Sequence, residues 1–281
     1  MQKTRLALVQ MNSLINAKKQ NLAKLKKYIE IAAANHAHII CFPELSVHGY
    51  SKNLYKESAE PIDEISRILK EWSKEYSLCI LAGLAEKAHN KKPYITHLVV
   101  QPDAETGIYR KTHLGKSEKP YFSEGNSLPV FKTPTATIGI QICWDLHFPE
   151  ISAIMSLKGA EIIFAPHASP TVVGDRKEIW LRYLTARAYD NAVFLAACNL
   201  IGENGDGQSF CGGALVIDPK GKLIADDFNN KEGILFADLD PGLINQIREQ
   251  DSISMRDSFF LQSRRPELYK ELLHRLSTEK E

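Results

Sequence analysis

The sequence predicts an α/β protein with a mixed sheet and helices covering its outer faces. Short runs rich in Val, Ile and Leu alternate with segments of helical period along most of the chain. One pair of predicted strands is joined by a Pro-Asp-Ala-Glu turn, a connection short enough to make the pair antiparallel. No Pro/Gly/Ser-rich linker, repeat or low-complexity tract interrupts residues 4–240, which read as one domain, with residues 241–281 as a charged C-terminal arm.

The first strand covers residues 5–10. The helix after it repeats Leu22, Leu25, Ile29 and Ala33 at three- and four-residue spacing, with Lys18, Lys19, Lys24 and Lys27 on the other face. An apolar strand returns at 38–42. A second helix presents Ile62, Ile65, Leu69, Trp72 and Tyr76, and residues 78–84 read as a buried strand. The hairpin pairs 95–101 with 107–110. Residues 135–143 form the next strand, and Pro149 suits the first turn of the following helix, where its missing N–H is not needed; that helix ends near Gly159. A strand at 161–165, a helix at 176–189 and a strand at 192–198 continue the alternation. A hairpin about Asp218-Pro219-Lys220-Gly221 and a strand at 234–238 complete the domain. The glycine-rich stretch from Gly202 to Gly213 lacks the Gly-Lys-Ser/Thr of a phosphate loop and reads as a plain loop. In the arm, residues 266–276 are the one expected helix.

Composition narrows the function. The 281 residues, 44% hydrophobic and 25% charged, supply apolar material for a large core. Lys+Arg 35 nearly balance Asp+Glu 34, leaving a formal charge of +1 and no electrostatic footprint for nucleic acid or an anionic membrane. Residues 1–11 do not form a signal peptide, and no run approaches the roughly 18–20 apolar residues of a membrane span. Cysteines at 41, 79, 143, 198 and 211 form neither a Cys-x-x-Cys pair nor a disulfide framework. A cytoplasmic, reducing compartment is expected. His36 and His38 lack a second ligand pair, so neither metal nor cofactor is expected.

Cys143 ends an apolar strand just before the Pro149 helix, where turn and helix N–H groups can stabilise a thiolate and an oxyanion. An unpaired cysteine is ordinarily a small buried hydrophobe, and Cys79 and Cys198 fit that description. A Cys-His pairing with His113, His147 or His167 is one alternative. A second set is better placed: Glu44 in Cys-Phe-Pro-Glu and Lys111 in Ile-Tyr-Arg-Lys-Thr-His-Leu also follow strands, so thiol, carboxylate and ammonium are expected to converge at one edge of a sheet. Glu118, in Gly-Lys-Ser-Glu-Lys-Pro, reads by itself as part of an exposed charge cluster.

Taken together, Phe-Pro-Glu44, Tyr-Arg-Lys111-x-His-Leu, Glu118, Cys143-Trp-Asp-x-x-Phe-Pro-Glu, Arg187-Ala-x-Asp-Asn and Asp218-Pro-x-Gly resemble the nitrilase superfamily of carbon-nitrogen hydrolases, in family order over residues 4–240. Ala214 departs from the pattern, standing where many relatives carry Ser. The resemblance implies a four-layer α-β-β-α sandwich and a homodimer or higher homo-oligomer, with the C-terminal arm at the dimer interface. It also implies a Glu44, Lys111, Cys143 catalytic set, with Glu118 orienting Lys111 or the substrate nitrogen. Glu44 would take the thiol proton, and Lys111 with the Trp144 N–H would hold the oxyanion.

The substrate side is less determined. Relatives acting on carboxylate-bearing substrates often place Arg four residues after the nucleophile, where this sequence has His147, a poorer permanent anchor for a carboxylate. Cys143-Trp-Asp-x-x-Phe-Pro-Glu and Gly49-Tyr50 are instead similar to the pattern of enzymes hydrolysing N-carbamoylputrescine. A small aliphatic amide or N-carbamoyl amine is the expected substrate, with Tyr50, Trp144, His147 and His167 as substrate-binding residues. A nitrile-hydrolysing enzyme and a ligand-binding homologue without turnover are the alternatives.

Overall fold

The computed structural model describes residues 1–51, 58–89, 91–249 and 259–274. The chain opens with β1 (Thr4–Gln10), α1 (Lys18–Ala34), β2 (Ile39–Cys41), α2 (Ile62–Tyr76) and β3 (Cys79–Glu86). Then come β4 (Tyr94–Val100), β5 (Gly107–Arg110), β6 (Phe131–Lys132), β7 (Thr137–Ile140), α3 (Pro149–Leu157) and β8 (Ile162–His167). The later elements are α4 (Arg176–Asn191), β9 (Phe194–Asn199), β10 (Ile201–Glu203), β11 (Ser209–Cys211), β12 (Ala214–Ile217), β13 (Leu223–Asp227), β14 (Gly233–Leu239) and α5 (Pro241–Glu249).

The strands form two mixed sheets, ordered β14-β1-β2-β3-β4-β5 and β13-β12-β9-β8-β7-β6. Each has a parallel centre, β1/β2/β3 in one and β7/β8/β9 in the other, with antiparallel strands outside it. Because successive strand residues face opposite sides, two separate sets of apolar residues can be buried. Leu6, Leu8, Ile39 and Cys41 of the first sheet meet Ile138, Ile140, Phe164 and Cys198 of the second in a shared inner core. Their neighbours Ala7, Val9, Ile40 and Ile80 face outward onto Leu22, Leu25 and Ile29 of α1 and Ile65 and Leu69 of α2. On the far side, Trp180, Leu184 and Ala188 of α4 cover Leu195, Ala197 and Leu215. The order helix, sheet, sheet, helix is the four-layer α/β sandwich. Gly139 lets α3 lie close on the second sheet, since a Cβ there would sit 2.7 Å from Met155 Sδ.

Three local expectations need correction. The buried face of α1 uses Ala32, with Ala33 only half-buried. The glycine-rich stretch contains the β10/β11 hairpin, with Asn204 at its turn accepting from Asp206 N and Gln208 N. Residues 266–268 and 270–273 make short 3-10 turns instead of a helix, and residues 275–276 of that expected helix lie outside the described residues. Leu268, Leu272 and Leu273 are 59%, 65% and 84% exposed, so burial does not reward a longer helix there. Earlier in the same segment α5, absent from the sequence reading, buries Ile244 and Ile247.

Candidate active site

Glu44 follows β2 through Phe42 and Pro43. The turn that carries it presses against β3 at Gly83, where a Cβ would lie 2.5 Å from Leu45 N; no larger residue leaves the turn in place. Lys111 directly follows β5, and Gly115 N donates to Glu118 Oε2 at 2.7 Å in the next turn. Lys111 Nζ donates to Glu44 Oε1 and to Glu118 Oε1, each at 2.8 Å, and all three side chains are buried. Tyr50 OH adds a bond to Glu118 Oε1 at 2.9 Å, and Ala168 N one to Glu44 Oε2 at 3.0 Å. Glu118 is thus no surface charge.

Cys143 comes from the other sheet, after β7. The thiol, carboxylate and ammonium do not share one sheet edge as expected: Glu44 and Lys111 are delivered by the first sheet, Cys143 by the second, and packing of the two layers brings Lys111, bonded to Glu44, and Cys143 to one cavity. The following helix starts where the sequence places it, at Pro149. Residues 143–147 form a 3-10 turn and α3 starts only at Pro149, so its dipole, which acts over the first turn, is displaced from the sulfur. Cys143 itself has φ +46°, a left-handed conformation that a non-glycine residue holds only when its surroundings impose it.

Asp145 supplies that constraint, and the sequence reading passed over it although it lies inside the Cys-Trp-Asp motif. Fully buried, it accepts from Ile142 N at 2.9 Å, Thr112 N at 3.2 Å, His113 N at 2.8 Å, Tyr109 OH at 2.8 Å and Thr112 Oγ1 at 3.0 Å. It therefore ties the Cys143 turn to the segment carrying Lys111. From α4, Arg187 Nε donates to Leu146 O at 3.1 Å and braces the same turn. Asp145→Ala would leave buried donors of both segments unpaired, and a loss of about 3 kcal/mol or more is expected in urea unfolding. A loss below about 1 kcal/mol would show that the network does not hold the turn.

Burial pushes the Glu44 carboxyl up to about 7, with Lys111 opposing and Glu118 reinforcing the rise. Burial likewise pushes the Cys143 thiol up to about 12, helped by Glu44 and opposed by Lys111. For Lys111 burial disfavours the charge, but Glu44 and Glu118 outweigh it and hold the ammonium above its ordinary range. The resting site therefore holds a neutral thiol beside a charged lysine and a carboxyl that changes state near neutral pH. Ser169 Oγ stands 3.8 Å from the sulfur, and its N–H is fixed by Asn199 Oδ1 at 2.7 Å. No sequence signal marked Ser169.

A cavity of about 400 Å³ opens onto Cys143, Lys111 and Glu118. Tyr50, Trp144, His147 and His167 all line it. Trp144 and His147 are exposed, with ring centroids 4.7 Å apart, while His167 is buried at the end of β8 with Nδ1 on Ala165 O at 2.8 Å. Full burial of His167 and partial desolvation of the His147 ring, which keeps an exposed edge, together with nearby cations hold both histidines below the usual imidazole range, so they enter the site uncharged. Arg176 and Tyr183 of α4 line the cavity too, and neither was expected there. Among the described residues no three His, Cys, Asp or Glu side chains are grouped as metal ligands, and no helix is long and apolar enough to cross a membrane.

The sequence pattern of the carbon-nitrogen hydrolase family matches residues 5–249. The chain is similar to the N-carbamoylputrescine amidase of Arabidopsis thaliana, with 34% identity over 90% of each chain. It is also similar to the citrullinase of Francisella tularensis, with 32% identity over 91% of this chain and 93% of that one. Among solved structures, an amidase from Nesterenkonia sp. superposes with a TM-score of 0.81 at 25% identity, covering 96% of both chains.

Proposed function

Because the chain belongs to the carbon-nitrogen hydrolase family, and is thereby an enzyme of amidase type acting on amides or carbamoyl amines, we propose that Cys143 attacks the carbonyl carbon of a small aliphatic amide or N-carbamoyl amine. The observation that carries this reading is the Lys111 ammonium bridged between the Glu44 and Glu118 carboxylates, each at 2.8 Å, in the cavity that holds the thiol. As the C–S bond forms, Glu44 takes the thiol proton. Lys111 Nζ and the Trp144 backbone N–H hold the oxyanion, and Glu118 orients Lys111. Collapse breaks the C–N bond, Glu44 returns the proton to the departing nitrogen, and a thioester remains. Water, deprotonated by Glu44, then releases the acid and the free thiol. A primary amide yields ammonia in the first half; a carbamoyl thioester yields carbamate, which decays to carbon dioxide and ammonia.

The thiol near 12 and the base near 7 bear on timing. A free thiolate is too scarce at neutral pH to be the resting nucleophile, so proton transfer to Glu44 accompanies attack. An ammonia-release screen over ω-amides, carbamoyl amines and nitriles, with intact-mass detection of an acyl adduct, tests the reading. Release from amides or ureides through a transient adduct supports it. Release only from nitriles favours the nitrilase alternative, and a persistent adduct without ammonia a binding protein.

The pH profile is a further expectation. Since Glu44 must be ionised to accept the proton, kcat/KM should rise with pH along a limb centred near 7. A flat profile from pH 5.5 to 8.5 would remove Glu44 as the base.

A further inference from the structure

The cavity contains one buried cation that the Glu44, Lys111 and Glu118 cluster does not account for. Arg176 is the first residue of α4, is 7% exposed, and lines the same cavity as Cys143. Its Nε and Nη2 are buried without a hydrogen-bond partner. On a planar guanidinium these two atoms share one edge, and that edge matches the two oxygens of a carboxylate. The chain uses the same pairing elsewhere: Arg110 donates to Glu86 from Nε at 2.7 Å and from Nη2 at 2.6 Å.

A purely structural arginine would find its counter-ion in the fold. Around Arg176 stand the Trp180 ring, 5.9 Å from the guanidinium carbon, with Tyr183 and the uncharged His147 and His167. Asp175, the carboxylate next to it in sequence, is turned onto Glu178 N at 2.9 Å as the cap of α4. The cavity's charge points the same way. Glu118 is the one acidic residue among the described lining residues, and Lys111, Tyr50 and Gly115 already occupy it. With Lys111 balanced by two carboxylates, Lys116 and Arg176 leave the cavity positive. Among the described lining residues no acidic side chain is left unpaired for a substrate ammonium, while the Arg176 edge is free for a substrate carboxylate.

We propose that Arg176 anchors a carboxylate at the end of the substrate remote from the scissile bond, making ω-amides and N-carbamoyl derivatives of short acids the preferred substrates. This rests on Cys143 acting as the nucleophile in the same cavity. His147, four residues after Cys143, leaves that position without a guanidinium, and α4 supplies one from a different direction.

The test compares kcat/KM for ammonia release from 4-ureidobutyrate, its neutral counterpart N-butylurea and the cationic N-carbamoylputrescine. The wild type should prefer the acid over the neutral compound by roughly tenfold to a hundredfold, chiefly through KM. Arg176→Gln should bring that ratio close to one, and Arg176→Lys should keep part of it. Without ligand, Arg176→Gln should melt within a few degrees of the wild type, because it removes a buried Nε–Nη2 edge that has no partner and gives up only the hydrogen bond with Tyr183 and the contact with the Trp180 ring. A wild-type preference for the neutral or cationic compound overturns the proposal, as does an acid preference that survives Arg176→Gln. If no compound releases ammonia, the catalytic reading fails, and the anchor is judged separately by calorimetric binding of glutarate. Binding at least tenfold weaker in Arg176→Gln than in the wild type supports the anchor; equal binding, or none to the wild type, overturns it.

Discussion

Cys143→Ala is expected to lower kcat/KM for ammonia release by about three orders of magnitude or more while leaving the fold intact. The loss is large because the proposed route divides amide cleavage into two steps through a bond to sulfur, and Cys143 is the one cysteine among the described residues that line the cavity. Ser169 Oγ stands 3.8 Å from the sulfur, yet among the described residues it has no carboxylate partner of its own. Stability should change little, since the residue is half-buried and its left-handed backbone is held by the Asp145 network, which the substitution leaves in place. Glu44→Gln makes the companion variant. It keeps an oxygen for Ala168 N but cannot accept a proton, so a loss of roughly a hundredfold to ten-thousandfold is expected, with disappearance of the limb near pH 7. Residual activity within tenfold of wild type in Cys143→Ala, with the cysteine's absence verified by mass, would sink the mechanism.

Lys111→Met should produce the largest loss of stability. Lys111 Nζ separates two buried carboxylates, and its removal leaves Glu44 and Glu118 facing each other without a cation. Breaking a buried ionic cluster from one side typically costs about 3–5 kcal/mol, far beyond an exposed pair such as Arg67–Glu71. The pH dependence identifies the cause. In the variant Glu44 loses the neighbour that opposed its upward shift, so its folded pKa lies further above the unfolded one. A carboxyl shifted in that direction favours the folded state when protonated and disfavours it as pH rises. The deficit against wild type should therefore be small near pH 5 and grow through pH 7 to 8 in urea titrations. A deficit that is the same at both ends would mean that lost packing, not unpaired charge, is responsible.

Legibility varied with the range of the interaction. The strands and outer helices could be read because a period of two or of about 3.6 is written in neighbouring residues, and the described helices 18–34, 62–76, 149–157 and 176–191 follow it closely. The β10/β11 hairpin escaped because its glycines suggest an unstructured loop, whereas Asn204 folds it by side-chain bonds that no periodicity records. Glu118 looked like an exposed charge because its neighbours Lys116, Ser117 and Lys119 are exposed, and only the tertiary contact with Lys111 turns it inward.

By itself the sequence determined the alternation of strands and helices, the near-balance of charge, the wide spacing of the cysteines, and the chain order of Glu44, Lys111, Glu118 and Cys143, with Glu44, Lys111 and Cys143 following strands. Those features are local or combinatorial, carried by residue type and spacing. Only the tertiary structure decided that the acid-lysine pair and the thiol come from different sheets. It also decided that Asp145 joins the two segments and that Arg176 of α4 reaches the cavity with an unpaired edge. The reason is physical: these contacts join residues dozens of positions apart, and their energies depend on burial and hydrogen-bond partners that exist only once the layers have packed.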